Sequence, residues 1–149
     1  MIAEMAAYYF SKGMTLADAL EGLYEKYGWF MEKTLNLVMP GLDGLEKMKA
    51  LMASLRAKPP REIGGSAVLG MRDYQNGTVS VAELGVVGKT HISGSNVLYF
   101  ELEDGTSFIV RPSGTEPKIK VYILTQGADR AECEARVAKY TAFAEELSK

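Results

Sequence analysis

Hydrophobic and polar residues alternate with a period of two over much of the chain, which is the pattern of half-buried β-strands. The alternation is clearest over 118–125, where isoleucine and valine alternate with lysine and tyrosine at the start. Similar stretches at 97–102 and 107–110 flank Asp104-Gly105. Because a tight turn of this kind connects neighbouring antiparallel strands, the pattern predicts three consecutive antiparallel strands.

Earlier in the chain the same pattern predicts a strand over 30–39 and a hairpin over 67–81, with Asn76-Gly77 as its two-residue turn. The interval 85–94 is rich in glycine, but its spacing matches no nucleotide-binding loop. We interpret this interval as a variable connection. His91, the only histidine, lies within it and is given no catalytic or metal-binding role.

Apolar residues at helical spacing predict two short helices at the start of the chain. The first covers 2–12 and the second 16–27, and each is followed by a glycine. Thr15 to Asp18 resembles a capping box at the start of the second helix. The first helix has no capping residue, so we expect the chain to begin inside a longer protein.

Two further helices are predicted, one over 42–55 before Pro59-Pro60 and one after a capping box at Asp129 to Glu132. Their apolar faces are expected to carry Leu42, Leu45, Met48, Met52 and Leu55 in the first, and Val137, Tyr140, Ala144 and Leu147 in the second. Strand, helix, several antiparallel strands and a last helix make an α+β fold, an antiparallel sheet with helices packed on one face.

Composition narrows the function classes. The chain has 149 residues, 47% of them hydrophobic, which is enough for a core of one ordinary domain. A net charge of −2 and a pI near 5.5 disfavour a general nucleic-acid or membrane-surface binder. Cys133 is the only cysteine, and no apolar run approaches the roughly 20 residues of a membrane span. We expect a cytoplasmic protein without nucleic-acid or membrane partners.

The loop between the last two strands, residues 111–117, carries the candidate chemistry. Pro112 and Pro117 bound the loop, and proline gives no N–H to a strand ladder. We therefore expect the backbone amides of the loop to lack strand partners. Gly114 is expected to adopt a positive φ that turns successive amides into one concavity. Unpaired amides of this kind bind anions.

The side chains around the loop agree with an anion. Arg111 offers a planar, always charged fork that suits phosphate oxygens, and Ser113 and Thr115 add hydroxyl donors. Lys118 and Lys120 add positive charge on the following strand. No nucleophile or base stands among them. On residue types alone, however, an ordinary hairpin loop is the stronger interpretation, because serine, glycine and proline are common turn residues.

The order of the residues in this loop says more about its function than the residue types do. The string Arg111-Pro112-Ser113-Gly114-Thr115-Glu116-Pro117-Lys118-Ile119 resembles the C-terminal phosphate-binding loop of the α-D-phosphohexomutase superfamily, which includes bacterial phosphoglucomutases and phosphomannomutases. The resemblance extends to residues 95–106 and 3–28 and is weak only over 75–94. It implies the TATA-binding-protein-like fold of that family's last domain.

The resemblance also implies a function. In that family four domains surround one cleft, and a phosphoserine in the first domain exchanges phosphate with a hexose phosphate. The last domain binds the substrate's phosphate. Carried over residue by residue, Arg111, Ser113, Gly114 and Thr115 contact this phosphate, with Lys120 as a possible outer contributor. The complete enzyme uses Mg²⁺.

The family's phosphoserine, metal and sugar-recognition loops have no counterpart in this chain. We therefore expect residues 1–28 to be the helical end of the third mutase domain and residues 29–149 to be the C-terminal domain. This chain alone would hold no catalytic residue, no metal ligand and no mutase activity. The alternative is a free-standing phosphate- or phosphosugar-binding module without catalysis.

Overall fold

The computed structural model describes residues 1–147, so the last two residues of the domain expected at 29–149 lie outside the described part. Helices and strands follow one another in this order: α1 (Ile2–Phe10), α2 (Leu16–Tyr27), β1 (Trp29–Val38), α3 (Gly44–Ala57), β2 (Glu62–Ile63), β3 (Ser66–Asp73), β4 (Thr78–Val81), β5 (Gly85–Lys89), β6 (Leu98–Leu102), β7 (Ser107–Pro112), β8 (Lys118–Gly127) and α4 (Arg130–Glu146).

The strands form one antiparallel sheet in the order β1-β8-β7-β6-β3-β4-β5, with the short β2 paired to β3. The predicted meander of the last three strands is confirmed, since β6 pairs with β7 and β7 with β8. Strand β1 lies on the other side of β8, and each of its ten residues is paired with a residue of β8. The α+β fold class predicted from the sequence is therefore confirmed.

The core lies between one face of this sheet and the helices α3 and α4. Alternation places every second residue of β8 on that face, and Ile119, Val121 and Ile123 are all fully buried there. The alternate residues of the strand, Lys118, Lys120 and Tyr122, project from the opposite face and are half-buried. We call this opposite side, which no helix of residues 29–147 covers, the open face.

A buried ion pair joins α3 to the hairpin of β3 and β4. The Arg56 Nε donates to Asp73 Oδ2 at 2.9 Å, and the Asp73 side chain is almost completely buried. The same carboxylate accepts hydrogen bonds from the Gln75 amide at 3.0 Å and from Asn76 Nδ2 at 2.6 Å. A charge removed from water is tolerated only when paired and hydrogen bonded in this way.

Polar contacts around Asp104 hold α4 against the turn between β6 and β7. The buried Tyr140 donates its hydroxyl to the Asp104 carboxylate, and Arg136 donates to the Asp104 carbonyl oxygen at 2.6 Å. Burial acts to raise the pKa of this carboxyl. The hydrogen bonds from Tyr140 and from the Thr106 backbone, with the charge of Arg136, outweigh burial and hold the pKa of Asp104 below its usual value.

Three local predictions need correction. Helix α3 begins at Gly44, not at 42, and its predicted apolar face is too long: Met48, Met52 and Leu55 are buried, but Leu42 and Leu45 are exposed. Leu42 is exposed because Pro40-Gly41 turns the chain and Leu42 lies in that turn, before the helix. Leu45 lies in the first turn of the helix, and no contact of the structure explains its exposure.

The interval 85–94 is not only a connection, because Gly85–Lys89 pairs with β4 as an edge strand. The hairpin at Asn76-Gly77 is confirmed, but Asp73 and Thr78 are the closing pair, so the turn has four residues instead of two. Asp73 accepts hydrogen bonds from two residues of this turn, which favours the longer form. His91 is exposed, next to β5.

The opening helices match the sequence prediction closely. Helix α1 ends two residues earlier than expected, and the predicted capping box is present, with the Thr15 hydroxyl accepting from the Asp18 amide at 3.1 Å. Neither helix contains a buried residue. The apolar side chains of α2, among them Leu20, Leu23 and Tyr27, are about half exposed. A stack of Tyr24 on Trp29, with ring centres 4.4 Å apart, connects α2 to the sheet.

We predict that the opening helices exchange amide hydrogens faster than the central strands. Burial stabilises hydrogen-bonded backbone against local opening. Helices α1 and α2 contain no buried residue, whereas residues 97–125 include many of the buried residues of the core. Hydrogen exchange of the monomeric chain, followed by mass spectrometry, measures both segments in one sample. Equal protection of the two segments would contradict the prediction.

Candidate phosphate-binding site

The loop of residues 113–117 joins β7 and β8 at one end of the sheet. Its two ends are closed by a hydrogen bond from the Ser113 amide to the Lys118 carbonyl oxygen, 2.8 Å long. A second hydrogen bond, from the Met39 amide to the Pro117 carbonyl oxygen at 2.8 Å, attaches the loop to the end of β1. The loop is thus fixed at its base and exposed to solvent at its tip.

Inside the loop the Ser113 hydroxyl organises the backbone. Its oxygen accepts from the Thr115 amide at 3.4 Å and from the Glu116 amide at 3.3 Å, both long hydrogen bonds. The amides of Thr115 and Glu116 therefore lack strand partners, as expected, but they are not free, because the Ser113 side chain accepts from both. The expectation is wrong for the Ser113 amide, which donates to Lys118 in β8. The proton of the Ser113 hydroxyl is still free to be donated, because both of these contacts use its oxygen as acceptor.

Gly114 occupies the tip, and its role differs from the expected one. Its φ is not positive, so the left-handed turn predicted from the sequence is wrong. A Cβ at this position would meet no atom within 4 Å. Within residues 1–147 the Gly114 amide has no hydrogen-bond partner. Glycine here leaves an exposed amide that a ligand can approach closely.

Two cations lie beside the loop on the open face. Arg111 in β7 is directly opposite Lys120 in β8, and Asn36 in β1 is opposite Lys120 on its other side. Paired residues of antiparallel strands project from the same face, so the three side chains form one row. In the described part of the chain neither cation has an ion-pair or hydrogen-bond partner. Four other arginines do pair with carboxylates: Arg56, Arg72, Arg130 and Arg136.

A third cation on the same face is already paired. Lys118, two residues before Lys120, places its Nζ 2.6 Å from Oε2 of Glu116, a residue of the loop itself. Sequence reasoning gave Glu116 no role. No general signal in the sequence marks a carboxylate two residues from a lysine as its partner, because the contact depends on the shape of the loop.

The structure thus brings Arg111, Ser113, Gly114, Thr115 and Lys120 to one end of the sheet. They supply a charged fork, an ammonium group, two hydroxyls and a free amide, which are donors suited to phosphate oxygens. Their roles as phosphate ligands stay predictions. Within residues 1–147 no three histidine, cysteine, aspartate or glutamate side chains are grouped so that they could hold a metal ion.

The site is a surface, not a cavity. A groove of about 600 Å³ does exist, lined by residues 59–61 with parts of β3, β4 and the turn to β5. In the sheet order, β6 separates these strands from β7 and β8. The groove is lined mainly by apolar residues, and we assign no chemistry to it. The candidate site is the open loop.

Comparison with known proteins identifies the family. Residues 36–140 match the family model described as phosphoglucomutase/phosphomannomutase, C-terminal domain. The chain belongs to this family. The resemblance predicted from the loop sequence is confirmed, and the matched residues include the whole of the candidate site.

Phosphoglucomutases of Staphylococcus aureus are similar to this chain. The protein of strain bovine RF122 / ET3-1 is 38% identical and that of strain N315 is 37% identical, each over 112 residues that cover 74% of this chain and 20% of the relative. This chain thus spans about a fifth of the length of these curated relatives.

None of the helices in residues 1–147 has the length and hydropathy needed to cross a bilayer.

A solved structure is also similar in part. The open form of the Paramecium phosphoglucomutase pp63/parafusin covers 90% of this chain with 22% of its own, at 15% sequence identity and a TM-score of 0.47.

We predict that Gly114→Ala changes the free energy of unfolding by less than about 1 kcal/mol, because the new methyl group meets no atom and φ is not left-handed. Urea denaturation measures this change. Gly44→Ala is the matched control and is expected to destabilise, because its Cβ would lie 2.2 Å from the Met39 carbonyl oxygen. A large loss of stability in Gly114→Ala would show that the loop backbone needs glycine.

Proposed function

We propose that this chain is the substrate-phosphate-binding C-terminal part of a phosphohexomutase, and that it binds the phosphate group of a hexose phosphate. One observation carries the proposal. Arg111 and Lys120 lie side by side without partners near the base of the loop whose tip carries the free amide of Gly114. Cations without a carboxylate partner, placed beside a free backbone donor, have unused capacity for an anion.

The geometry suggests how the phosphate is held. The Arg111 guanidinium donates two parallel hydrogen bonds, while the Lys120 ammonium contributes charge from the next strand. The Gly114 amide and the hydroxyls of Ser113 and Thr115 donate from the loop side. None of these groups takes up a proton or attacks phosphorus, so the loop positions the substrate and carries out no chemical step of its own.

The chemical step belongs, in this proposal, to the part of the enzyme outside this chain. A phosphoserine there exchanges phosphate between C1 and C6 of the hexose, glucose or mannose. The described residues do not fit a Mg²⁺ site, so the ion's ligands would also lie outside this chain. Residues 1–28 would be the end of the preceding domain. The buried, reduced thiol of Cys133 is compatible with the cytoplasmic location that we propose.

A second candidate is a free-standing module that binds phosphate or a phosphosugar without catalysis. The same loop would serve it equally well. The exposed apolar side chains of α1 and α2 favour the multidomain enzyme instead, because a chain that works alone has less reason to expose them. Sequencing the coding region upstream of residue 1 discriminates between the two.

We predict that the chain binds glucose 6-phosphate with a dissociation constant on the order of 1 mM, or about −4 kcal/mol, because the loop is open to water. Arg111→Ala should weaken this binding by about 1.5–3 kcal/mol, the range for a hydrogen bond to a charged group. Arg111→Lys should restore only part, since lysine lacks the planar fork. NMR titration, followed at the amides of residues 111–120, measures the affinities of the wild type and of both variants.

Arg130→Ala is the control for this titration. It removes the same charge from α4, beyond the other end of β8, and should leave the affinity unchanged. Wild-type affinity in Arg111→Ala would contradict the phosphate-binding role, and so would a wild-type titration that moves amides elsewhere but leaves residues 111–120 unmoved.

We also predict that the chain does not interconvert glucose 1-phosphate and glucose 6-phosphate, because the groups that would exchange phosphate are outside it. A coupled assay with glucose-6-phosphate dehydrogenase measures the conversion. A full-length phosphoglucomutase is the positive control. Turnover above background that persists through repurification would contradict the assignment of this chain to a non-catalytic part.

A further inference from the structure

The three cations beside the loop are not equivalent. Arg111 and Lys120 have no partner in the described residues, whereas Lys118 is bound to Glu116 at 2.6 Å. Lys118 and Lys120 project from the same face of β8, and two residues of a strand span about 6.6 Å. A phosphate bound at Lys120 would therefore also lie within range of Lys118. In this structure the Glu116 carboxylate holds Lys118 instead.

The backbone fixes Glu116 in this position. Its amide donates to the Ser113 hydroxyl at 3.3 Å, and its carbonyl oxygen accepts from the Lys118 amide at 2.7 Å. The Glu116 side chain is more than half exposed, and the Lys118 side chain is about one quarter exposed. An exposed carboxylate is easily displaced, because such ion pairs are worth less than about 1 kcal/mol. The lysine, by contrast, is held close to the sheet.

From this geometry we propose that Glu116 is an affinity-setting residue of the phosphate site. Its carboxylate competes with the bound phosphate for Lys118, and a phosphate monoester displaces it. Lys118 then becomes a third cation of the site, next to Arg111 and Lys120. This inference rests on the proposed function, because it assumes that the anion is a phosphate held at Arg111.

Competition by Glu116 predicts the direction in which the phosphate affinity changes when its charge is removed. Removal of the Glu116 charge frees Lys118 before phosphate arrives, so binding no longer includes the cost of breaking the ion pair. For a partly exposed pair this cost corresponds to roughly a three-fold change in affinity. Glu116→Gln should therefore bind inorganic phosphate and glucose 6-phosphate about three-fold more tightly than the wild-type chain. A merely structural role of Glu116 in shaping the loop predicts weaker binding instead.

The test is a double-mutant cycle on the complete 149-residue chain, with inorganic phosphate as the probe and NMR of the loop amides as the readout. The variants are Glu116→Gln, Lys118→Ala and the combination of both. Glu134→Gln is the matched control, because it breaks the Arg130–Glu134 pair on α4 and changes the net charge by the same amount. In the wild type, the side-chain carbon signals of Glu116 and Lys118 should shift with the same dissociation constant as the amides.

Each outcome decides the proposal. Competition predicts tighter binding in Glu116→Gln, loss of that gain when Lys118 is also alanine, and no gain in Glu134→Gln. Simple repulsion of phosphate by Glu116 predicts a gain that persists without Lys118, and it would overturn the proposal. Unchanged or weaker binding in Glu116→Gln, with intact binding in the wild type, would overturn this inference and leave the proposed function standing. A wild-type chain that shows no response at residues 111–120 would overturn both.

Discussion

The candidate site depends on the register between β7 and β8. Arg111 is paired with Lys120 and Pro112 with Ile119, so the strands run together to the last residue before the loop. One face of this pair buries Val110 and Val121 completely in the core. A shift of one residue in either strand would turn the faces of that strand over, placing Arg111 or Lys120 in the core. The core therefore holds the cations on the open face.

From the same constraint we expect the stability of the fold and the proposed phosphate binding to be separable. Asp73 holds α3 through Arg56, and Asp104 holds α4 through Tyr140. Neither contact involves a residue of the candidate site. The side chains that we propose to bind phosphate contribute no described contact to the core. Substitutions in the loop are expected to change binding and to leave the fold intact.

Much of this architecture was predictable from the sequence, because alternation and turn residues determine the strands locally. The alternation of Ile119, Val121 and Ile123 predicted the buried face of β8 correctly. Thr15 and Asp18 predicted the start of α2. The misses concern features that local pattern does not encode. The pairing of residues 85–89 with β4 is a tertiary contact, and Leu42 belongs to the apolar period of α3 but lies in the turn before the helix begins.

Within the site, residue types were predictable and geometry was not. The order of residues from Arg111 to Ile119 indicated the family, which the comparison confirmed. The conformation of Gly114 and the use of the Ser113 oxygen as an acceptor could not be derived, because both depend on how the loop closes. The Glu116–Lys118 pair is of the same kind. It is nevertheless the contact from which an affinity-setting role follows.

A crystal structure of this chain with glucose 6-phosphate would show whether a phosphate group binds at the end of β7 and β8. We expect the phosphate within hydrogen-bond distance of the Arg111 guanidinium and the Gly114 amide, with Lys120 alongside. Phosphate density at another place, such as the groove beside residues 59–61, with the loop left free at saturating ligand, would contradict it.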